Sequence, residues 1–459
     1  MKTGIDAMLA SLDPYTNYIP EDEIEDYRTM TTGQYGGIGA LVGNRNGKTM
    51  IIMIHRGFPA EESGLKIGDE ILKIDKISLA DKNIDGVSKL LKGQANTPVE
   101  LEIKSFGDAQ SRTVLINRKN IKLNDVPYSG MVDEEVGYFK LTDFRQGASR
   151  EVKAAIEGLK EQGAKKFILD LRGNPGGLLS EAINISNLFI DRSLEVVSTK
   201  GKIEEWNKTY RALNQPMDTE VPLIVLTNGR SASASEIVSG VIQDYDRGVL
   251  IGQKTFGKGL VQATRPLSYN SQLKVTTAKY YIPSGRCIQA LDYSNRKADG
   301  TVQKIPDSLK TAYQTRNGRT VYDGAGVDPD IEVEARTLAP ITRSLIGKNL
   351  IFEYANTYAH ERSSIAKARD FTLSEAEYQT FVNWLKDKEY DYKTQVEATL
   401  KALEEKAREE KYYDGIKAQL QSLEAKISHN KEADLQNFKA EIKEVLEKEI
   451  VSRFYLEEG

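Results

Sequence analysis

The sequence predicts a multidomain chain of mixed α/β and α+β character that ends in an all-helical extension. Three observations carry this. Between about 121 and 336, short apolar runs suited to buried strands alternate with segments of helical period. A strand-rich stretch punctuated by glycine turns precedes it, at about 33–120. After 336 glycine and proline almost vanish, and Glu, Lys and Ala take over with apolar residues at spacings of three and four. At 459 residues the chain has room for several domains, read here as 1–32, 33–120, 121–336 and 337–459.

Taken in order, a short amphipathic helix is expected first, with Ile5, Met8, Leu9 and Leu12 on one face and Asp13-Pro14 ending it. The next unit opens on a glycine-rich loop, Gly36-Gly37-Ile38-Gly39-Ala40, that leads into a strand, and the run 50–54 is a second strand. Gly64 should close a short helix, and Gly68-Asp69 turns the chain into a strand at 71–74. Ile84, Val87, Leu90 and Leu91 share a helix face closed by Gly93, and Val99, Leu101 and Ile103 alternate as a strand does. The glycine loop lacks the Gly-Lys-Ser ending of a phosphate loop and precedes a strand rather than a helix, so it is not read as a nucleotide site.

In the α/β region, strands are expected over 136–141 and 166–171, and helices over 149–161 and 178–190, with the turn 172–177 between. Asp170 and Arg172 are read as bracing the core. A buried strand over 222–227 is broken by Asn228-Gly229, and a helix follows in which Ile237, Val238, Val241 and Ile242 recur at helical spacing. Asp244 falls on that helix, where it reads as a surface residue before an auxiliary to the site. The polar segment 292–323 reads as a loop or small insertion. In the last region Ile416, Leu420, Leu423 and Ile427, then Leu435, Phe438, Ile442, Leu446 and Ile450, mark amphipathic helices. Trp384 and the nearby Tyr and Phe residues argue for a packed helical domain rather than a bare coiled coil.

Composition excludes several functions. A hydrophobic share of 39% with a mean hydropathy of −0.47 describes a soluble globular protein. A net charge of −4 gives no reason to expect nucleic-acid or bulk anionic-membrane binding. The single Cys287 rules out an internal disulfide or a cysteine-based metal cluster, and reads as a small packed residue. No apolar run reaches transmembrane length. No export signal precedes the folded-looking sequence that begins at Met1-Lys2-Thr3-Gly4, as in a fragment that has lost one.

The chemistry concentrates at 228–262. Ser231, Ser233 and Ser235 fall where a strand turns into a helix, with unpaired backbone N–H groups and the positive end of the helix dipole. Two readings stand on this segment alone: serines that cap the helix, or a nucleophile beside a site where an oxyanion is stabilised. The three histidines, His55, His360 and His429, all lie far away in sequence, which argues against a Ser-His-Asp arrangement. A lysine whose charged form is disfavoured by burial can serve as base instead. Lys258, in the turn Gly257-Lys258-Gly259, qualifies if an apolar pocket without a nearby carboxylate removes about 4 kcal/mol of its preference for the ammonium form. If 260–264 is a strand, Lys258 and Gln262 share a face, and Gln262 can accept a hydrogen bond from the lysine. The plain alternative is a surface lysine in a glycine turn.

Ser231-Ala-Ser-Ala-Ser-Glu236 followed by Lys254-Thr-Phe-Gly-Lys-Gly-Leu-Val-Gln262 resembles the C-terminal processing, or tail-specific, serine peptidases. Asp170-Leu-Arg-Gly-Asn-Pro-Gly-Gly177, Leu12-Asp-Pro-Tyr-Thr-Asn-Tyr-Ile-Pro20, 280–289 and 326–333 match the same family, so the likeness covers about 5–336. It implies Ser233 as nucleophile, Lys258 as base and Gln262 as the lysine's orienting partner, with Ser231, Ser235 and Lys254 as bystanders. Gly176 or Gly177, together with the N–H of Ala234, would form the oxyanion hole. It implies a ClpP/crotonase-like α/β core, no metal or cofactor, and a cell-envelope or periplasmic location.

The unit at 33–120, with Gly64-Leu-Lys-Ile-Gly-Asp-Glu-Ile-Leu72, looks like a PDZ domain. By that resemblance Gly37, Ile38, Gly39 and Ala40 form the nest for a peptide C-terminus, and the helix around 87–91 lines the side-chain pocket. The partners so implied are proteins or peptides with free C-termini; the helical region is a candidate for self-association or adaptor docking. Two other functions use the same parts: a silent PDZ adaptor, which would be marked by loss of Ser233 or Lys258, and a hydratase-type use of the α/β core, which would need an acid/base carboxylate.

Overall fold

The computed structural model describes residues 2–296, 301–427 and 431–456. The chain forms two compact units, one from 1–35 with 122–335 and the other from 36–121 with 336–459.

The first unit is built on a six-stranded sheet ordered Tyr128–Met131, Val136–Lys140, Lys166–Asp170, Leu223–Thr227, Val249–Gly252, Ile331–Glu332. The first pair is antiparallel and all the others are parallel. Parallel neighbours need crossovers, and the helices Ala148–Glu161, Leu179–Asn187 and Ala234–Asp244 supply them. Phe139, Phe167, Leu169 and Val225 of the sheet meet Val152, Ile156, Ile185, Val238 and Val241 of the helices in one continuous apolar core. The helix Ala234–Asp244 is buried on every side. Asp244 is therefore not a surface residue: both it and its ion-pair partner Arg286, 2.9 Å away, are almost wholly enclosed.

A second, five-stranded antiparallel sheet belongs to the same unit. Its long strand Gln272–Tyr281 pairs with Leu260–Pro266, with Glu195–Gly201 and with the short N-terminal strand Asn17–Ile19. The N-terminal helix spans Lys2–Ala10 and buries only Leu9, leaving Met8 and Leu12 exposed. The segment expected as a loop at 292–323 instead holds two small ladders, Leu291–Arg296 with Val302–Lys304 and Ala312–Gln314 with Thr320–Tyr322.

The second unit contains the PDZ fold. The strands Ala40–Arg45, Lys48–Ile54, Glu70–Ile74, Pro98–Lys104 and Arg112–Asn117 form one antiparallel sheet. Val99, Leu101 and Ile103 all face its core. The helix Ile84–Leu91 is closed by Arg118, whose buried guanidinium donates to the carbonyls of Leu90 and Leu91. Val87 and Leu91 are committed to the core rather than left open.

Seven helices from Pro340 to Tyr455 make up the remainder of the described residues in this unit. Two of them, starting at Glu375 and Gln395, open with capping boxes, Ser374 with Glu377 and Thr394 with Glu397. Tyr354, Phe381 and Trp384 cluster at their centre. Leu435, Ile442, Leu446 and Ile450 join that core, whereas Leu423 and Phe438 are exposed. The helical region packs directly on the PDZ fold: Phe352 enters the PDZ core between the guanidinium groups of Arg45 and Arg453, at 5.4 and 4.5 Å.

Candidate active site

The turn from strand Leu223–Thr227 into helix Ala234–Asp244 is under backbone strain. Ser233 holds φ 55 and ψ −112, a conformation that side-chain-bearing residues rarely adopt. Its two serine neighbours are buried and engaged. The Ser231 hydroxyl donates to the Leu171 carbonyl, and that of Ser235 to the Asn174 carbonyl. The Ser233 side chain stands in capping-box placement with Glu236 but makes no cap hydrogen bond of its own, and the residue opens onto a cavity of about 320 Å³. Lys258, Gln262, Gly176, Gly177 and Ala234 line the same cavity. Residues separated by up to 86 positions in the chain, from Gly176 to Gln262, thus share one wall system.

The turn at 172–177 fits closely against the serine. Gly176 has φ 98, and a Cβ there would lie 2.6 Å from the Ala232 carbonyl oxygen and 2.8 Å from Ser233 Cβ. A Cβ on Gly177, with φ 153, would lie 2.5 Å from the carbonyl oxygen of Phe144. Only glycine fits either place. The N–H of Gly176 donates to Asn174 Oδ1 at 2.8 Å, so Asn174 holds the turn. The N–H groups of Gly177 and Ala234 have no acceptor among the described residues. Asp170 and Arg172 are joined by paired Nε and Nη2 hydrogen bonds, with the Tyr138 hydroxyl donating to Asp170 as well, and they brace the base of the turn.

Two buried side chains tie the backbone of Ser233 to that of Lys258. Glu236, fully enclosed, accepts from the N–H of Ser233 (2.8 Å), Lys258 (2.9 Å) and Gly257 (2.7 Å), and from the hydroxyl of Thr255 (2.5 Å). Tyr280, also enclosed, directs its hydroxyl at the carbonyl oxygens of Lys258 (2.7 Å) and Ser233 (3.1 Å). Sequence reading gave neither residue a role, although Glu236 closes the serine motif at helix position N3. A glutamate there is the mark of a capping box. Here its carboxylate caps its own helix at Ser233 and also reaches the second loop at Thr255, Gly257 and Lys258.

Lys258 lies ahead of its strand, which begins at Leu260 and carries an irregularity in register at Val261/Gln262. Its ammonium sits over the ring of Tyr15, 4.3 Å from the centroid, rather than on Gln262. Gln262 donates through its amide nitrogen to the Thr276 hydroxyl at 3.2 Å. Burial, and next the neighbouring charge of Lys274, bring the Lys258 ammonium down to about 8. Carboxylates are nearby, contrary to the sequence expectation: Glu236 and Asp13 oppose this fall, and burial outweighs them. Burial alone pushes Glu236 up to about 7, against the four donors it accepts from.

The other candidates fall elsewhere. Lys254 forms an ion pair with Asp328 at 2.8 Å. His360 stacks edge-on with Phe106 in the second unit, and His429 lies outside the described residues. In the PDZ fold, Ile38 and Gly39 have N–H groups with no acceptor among the described residues, while their carbonyls accept from Ala60 and His55. Gly39 takes φ 76 with Phe58 packed against it, leaving no space for a Cβ.

The description "Peptidase family S41" matches residues 135–294, "PDZ domain" matches 53–105, and "Probable PDZ-protease, C-terminal helical domain" matches 341–459. The carboxy-terminal-processing protease of Bartonella bacilliformis is 37% identical over 63% of this chain and 67% of its own length. The carboxyl-terminal-processing protease of Synechocystis is 38% identical over 63% of this chain and 68% of its own. Among solved structures, the photosystem II D1 C-terminal processing protease gives a TM-score of 0.42 at 27% identity, covering 72% of this chain and 81% of that one. The chain belongs to the C-terminal processing serine peptidases of family S41, with a PDZ domain and a helical C-terminal domain beside the peptidase core.

Proposed function

We propose that this peptidase cleaves peptide bonds with a Ser-Lys pair, Ser233 and Lys258, through an acyl-enzyme. One observation carries the reading: a strained serine at a helix start opens onto the same cavity as Lys258, whose charged form is brought down to about 8. Neutral Lys258 takes the hydroxyl proton as Ser233 Oγ bonds to the scissile carbonyl carbon. The N–H groups of Gly177 and Ala234 receive the oxyanion, and Gly176 shapes the turn that aims them. The lysine then passes its proton to the departing amine as the C–N bond breaks, leaving the ester. Water, deprotonated in turn by Lys258, releases the acid and returns the proton to Ser233. Gln262, through the oxygen its amide leaves open, orients the lysine when it swings from Tyr15 to Ser233.

Substrate selection is assigned to the PDZ domain. A free C-terminal carboxylate would be taken by the loop Gly37, Ile38, Gly39 and Ala40, two of whose N–H groups are unclaimed. A location in the cell envelope follows the family. The test is degradation of an unstructured polypeptide with a free apolar C-terminus, beside its C-terminally amidated form and the Ser233→Ala protein. Cleavage abolished by Ser233→Ala and slowed by amidation is the expected result. Cleavage that survives Ser233→Ala would refute the nucleophile, and cleavage indifferent to amidation would refute the carboxylate nest.

A further inference from the structure

We propose that the N-terminal turn at 13–18 is part of the catalytic apparatus, with Tyr15 a positioning residue that lays its ring on the Lys258 amine, keeps water off it and holds it within the pocket. This deepens the Ser-Lys reading and rests on it. The contact is built from the opposite end of the chain. Tyr15 meets the Lys258 ammonium at 4.3 Å and stands edge-on to Tyr293 at 6.0 Å.

The turn that presents Tyr15 is locked in place. Buried Asp13 accepts from the N–H groups of Tyr15 and Thr16 and from the Thr16 hydroxyl, at 2.8–2.9 Å. The same hydroxyl accepts from the N–H of Thr276, and the next residues, Asn17–Ile19, pair with the strand Gln272–Tyr281. Thr276 in turn holds the Gln262 amide. A single hydrogen-bonded path therefore runs from Asp13 through Thr16 and Thr276 to Gln262, and Tyr15 projects from it onto the lysine. A turn needed only to start the fold would not require a half-buried aromatic against a catalytic amine.

Other groups face Lys258 as well: Lys274 on the strand Gln272–Tyr281, Glu236 on the helix Ala234–Asp244, Asp13 in the turn and the Tyr280 hydroxyl at its carbonyl. Their charges stay in place when Tyr15 is shortened. Two things change: water reaches the amine, which favours its protonated form, and the ring's own attraction for the ammonium is lost, a smaller effect of opposite sign.

The experiment is a pH profile of kcat and KM for the full chain on the unstructured substrate, with Tyr15→Ala, Tyr15→Phe and Lys258→Ala. Tyr15→Ala should move the acid limb of kcat up by about one pH unit, a roughly tenfold loss at any pH on that limb, with KM little changed. Tyr15→Phe keeps the ring and should restore the limb. Because buried Lys258 and Glu236 make stability itself depend on pH, kcat is read per folded molecule, with the folded fraction measured at each pH, so that partial unfolding of Tyr15→Ala cannot imitate the shift. An unmoved limb, or a faster Tyr15→Ala enzyme, would overturn the role of Tyr15 while inactive Lys258→Ala leaves the Ser-Lys reading standing. Activity retained by Lys258→Ala would remove both.

Discussion

The two ends of the helix Ala234–Asp244 each bury a carboxylate, and the two are satisfied in opposite ways. Asp244, near the C-terminal end, is met by the guanidinium of Arg286 at 2.9 Å and by the N–H of Ser284 at 2.9 Å. Glu236, in the first turn, is met only by neutral donors: three backbone N–H groups and one hydroxyl. The first arrangement cancels charge with charge, as an enclosed ion pair must. The second occupies both carboxylate oxygens with fixed dipoles beside Lys258, the lysine proposed as base. Were the oxygens of Glu236 unclaimed, the ammonium of Lys258 would be drawn to them and its charged form favoured. The difference teaches how an acid can be built next to a base without forming a salt bridge with it.

The sharpest way to break this comparison is Glu236→Gln. One face of the new amide is a donor, so about two of the four N–H and O–H groups lose their acceptor, each at a cost of about 1–3 kcal/mol. Because those donors include Ser233 and Lys258 themselves, turnover should fall on the order of a hundredfold, alongside a lower unfolding midpoint in denaturant. Reduced stability with unchanged kcat would mean that Glu236 only holds the fold.

A smaller effect on turnover is expected from Lys274→Gln. The Lys274 charge is the second cause, after burial, of the low proton affinity of Lys258. Without it the amine holds its proton more tightly, so the acid limb of kcat moves to higher pH, by less than Tyr15→Ala moves it. The sign follows from the proposed reaction: a lysine base must be neutral, so activity should rise with pH through the Lys258 midpoint near 8. A limb that moves to lower pH would show that Lys274 acts by some route other than its charge.

These residues also mark how far the sequence could be read. Ser233, Lys258, Gln262 and the glycines at 176–177 lie in two linear motifs, and the motifs could be read because each turn needs particular residues at fixed spacing. The alternation of strand and helix pointed to a layered α/β core, since period separates the two states, but not to the antiparallel sheet that carries Gln262. Asp13, Tyr15, Lys274 and Tyr280 could not be placed in the same way. Each reaches the site through tertiary pairing, Asn17–Ile19 against a strand more than 250 residues on, and no local pattern records such a register. Asp244 was misplaced for a related reason. Ser239, Gly240, Gln243 and Asp244 give its helix an apparently polar face, but the segments 282–286 and 328–330 lie against that face, so polar residues there had to find buried partners. The packing of Phe352 into the PDZ core was equally invisible, because an aromatic in a helix looks the same whichever core receives it.

The smallest effect on turnover belongs to the other end of the helix, and it is the control that gives the comparison its force. Asp244→Ala leaves the Arg286 guanidinium enclosed with its opposite charge gone, and should cost about 3–5 kcal/mol of stability. Gln243 Oε1, at 2.6 Å, would remain its nearest acceptor. The kcat of the folded protein should not change, since neither Asp244 nor Arg286 lines the cavity at Ser233. Replacing both partners at once, Asp244→Leu with Arg286→Met, should recover most of the loss, because an apolar pair of similar volume has no charge to strand. Denaturant midpoints for the two single variants and the double variant, with kcat measured on each below its transition, decide the matter. If the double variant is as unstable as either single one, the ion pair does more than neutralise itself. If kcat falls with stability held, the two ends of the helix are coupled, and Glu236 does not act alone on Ser233 and Lys258.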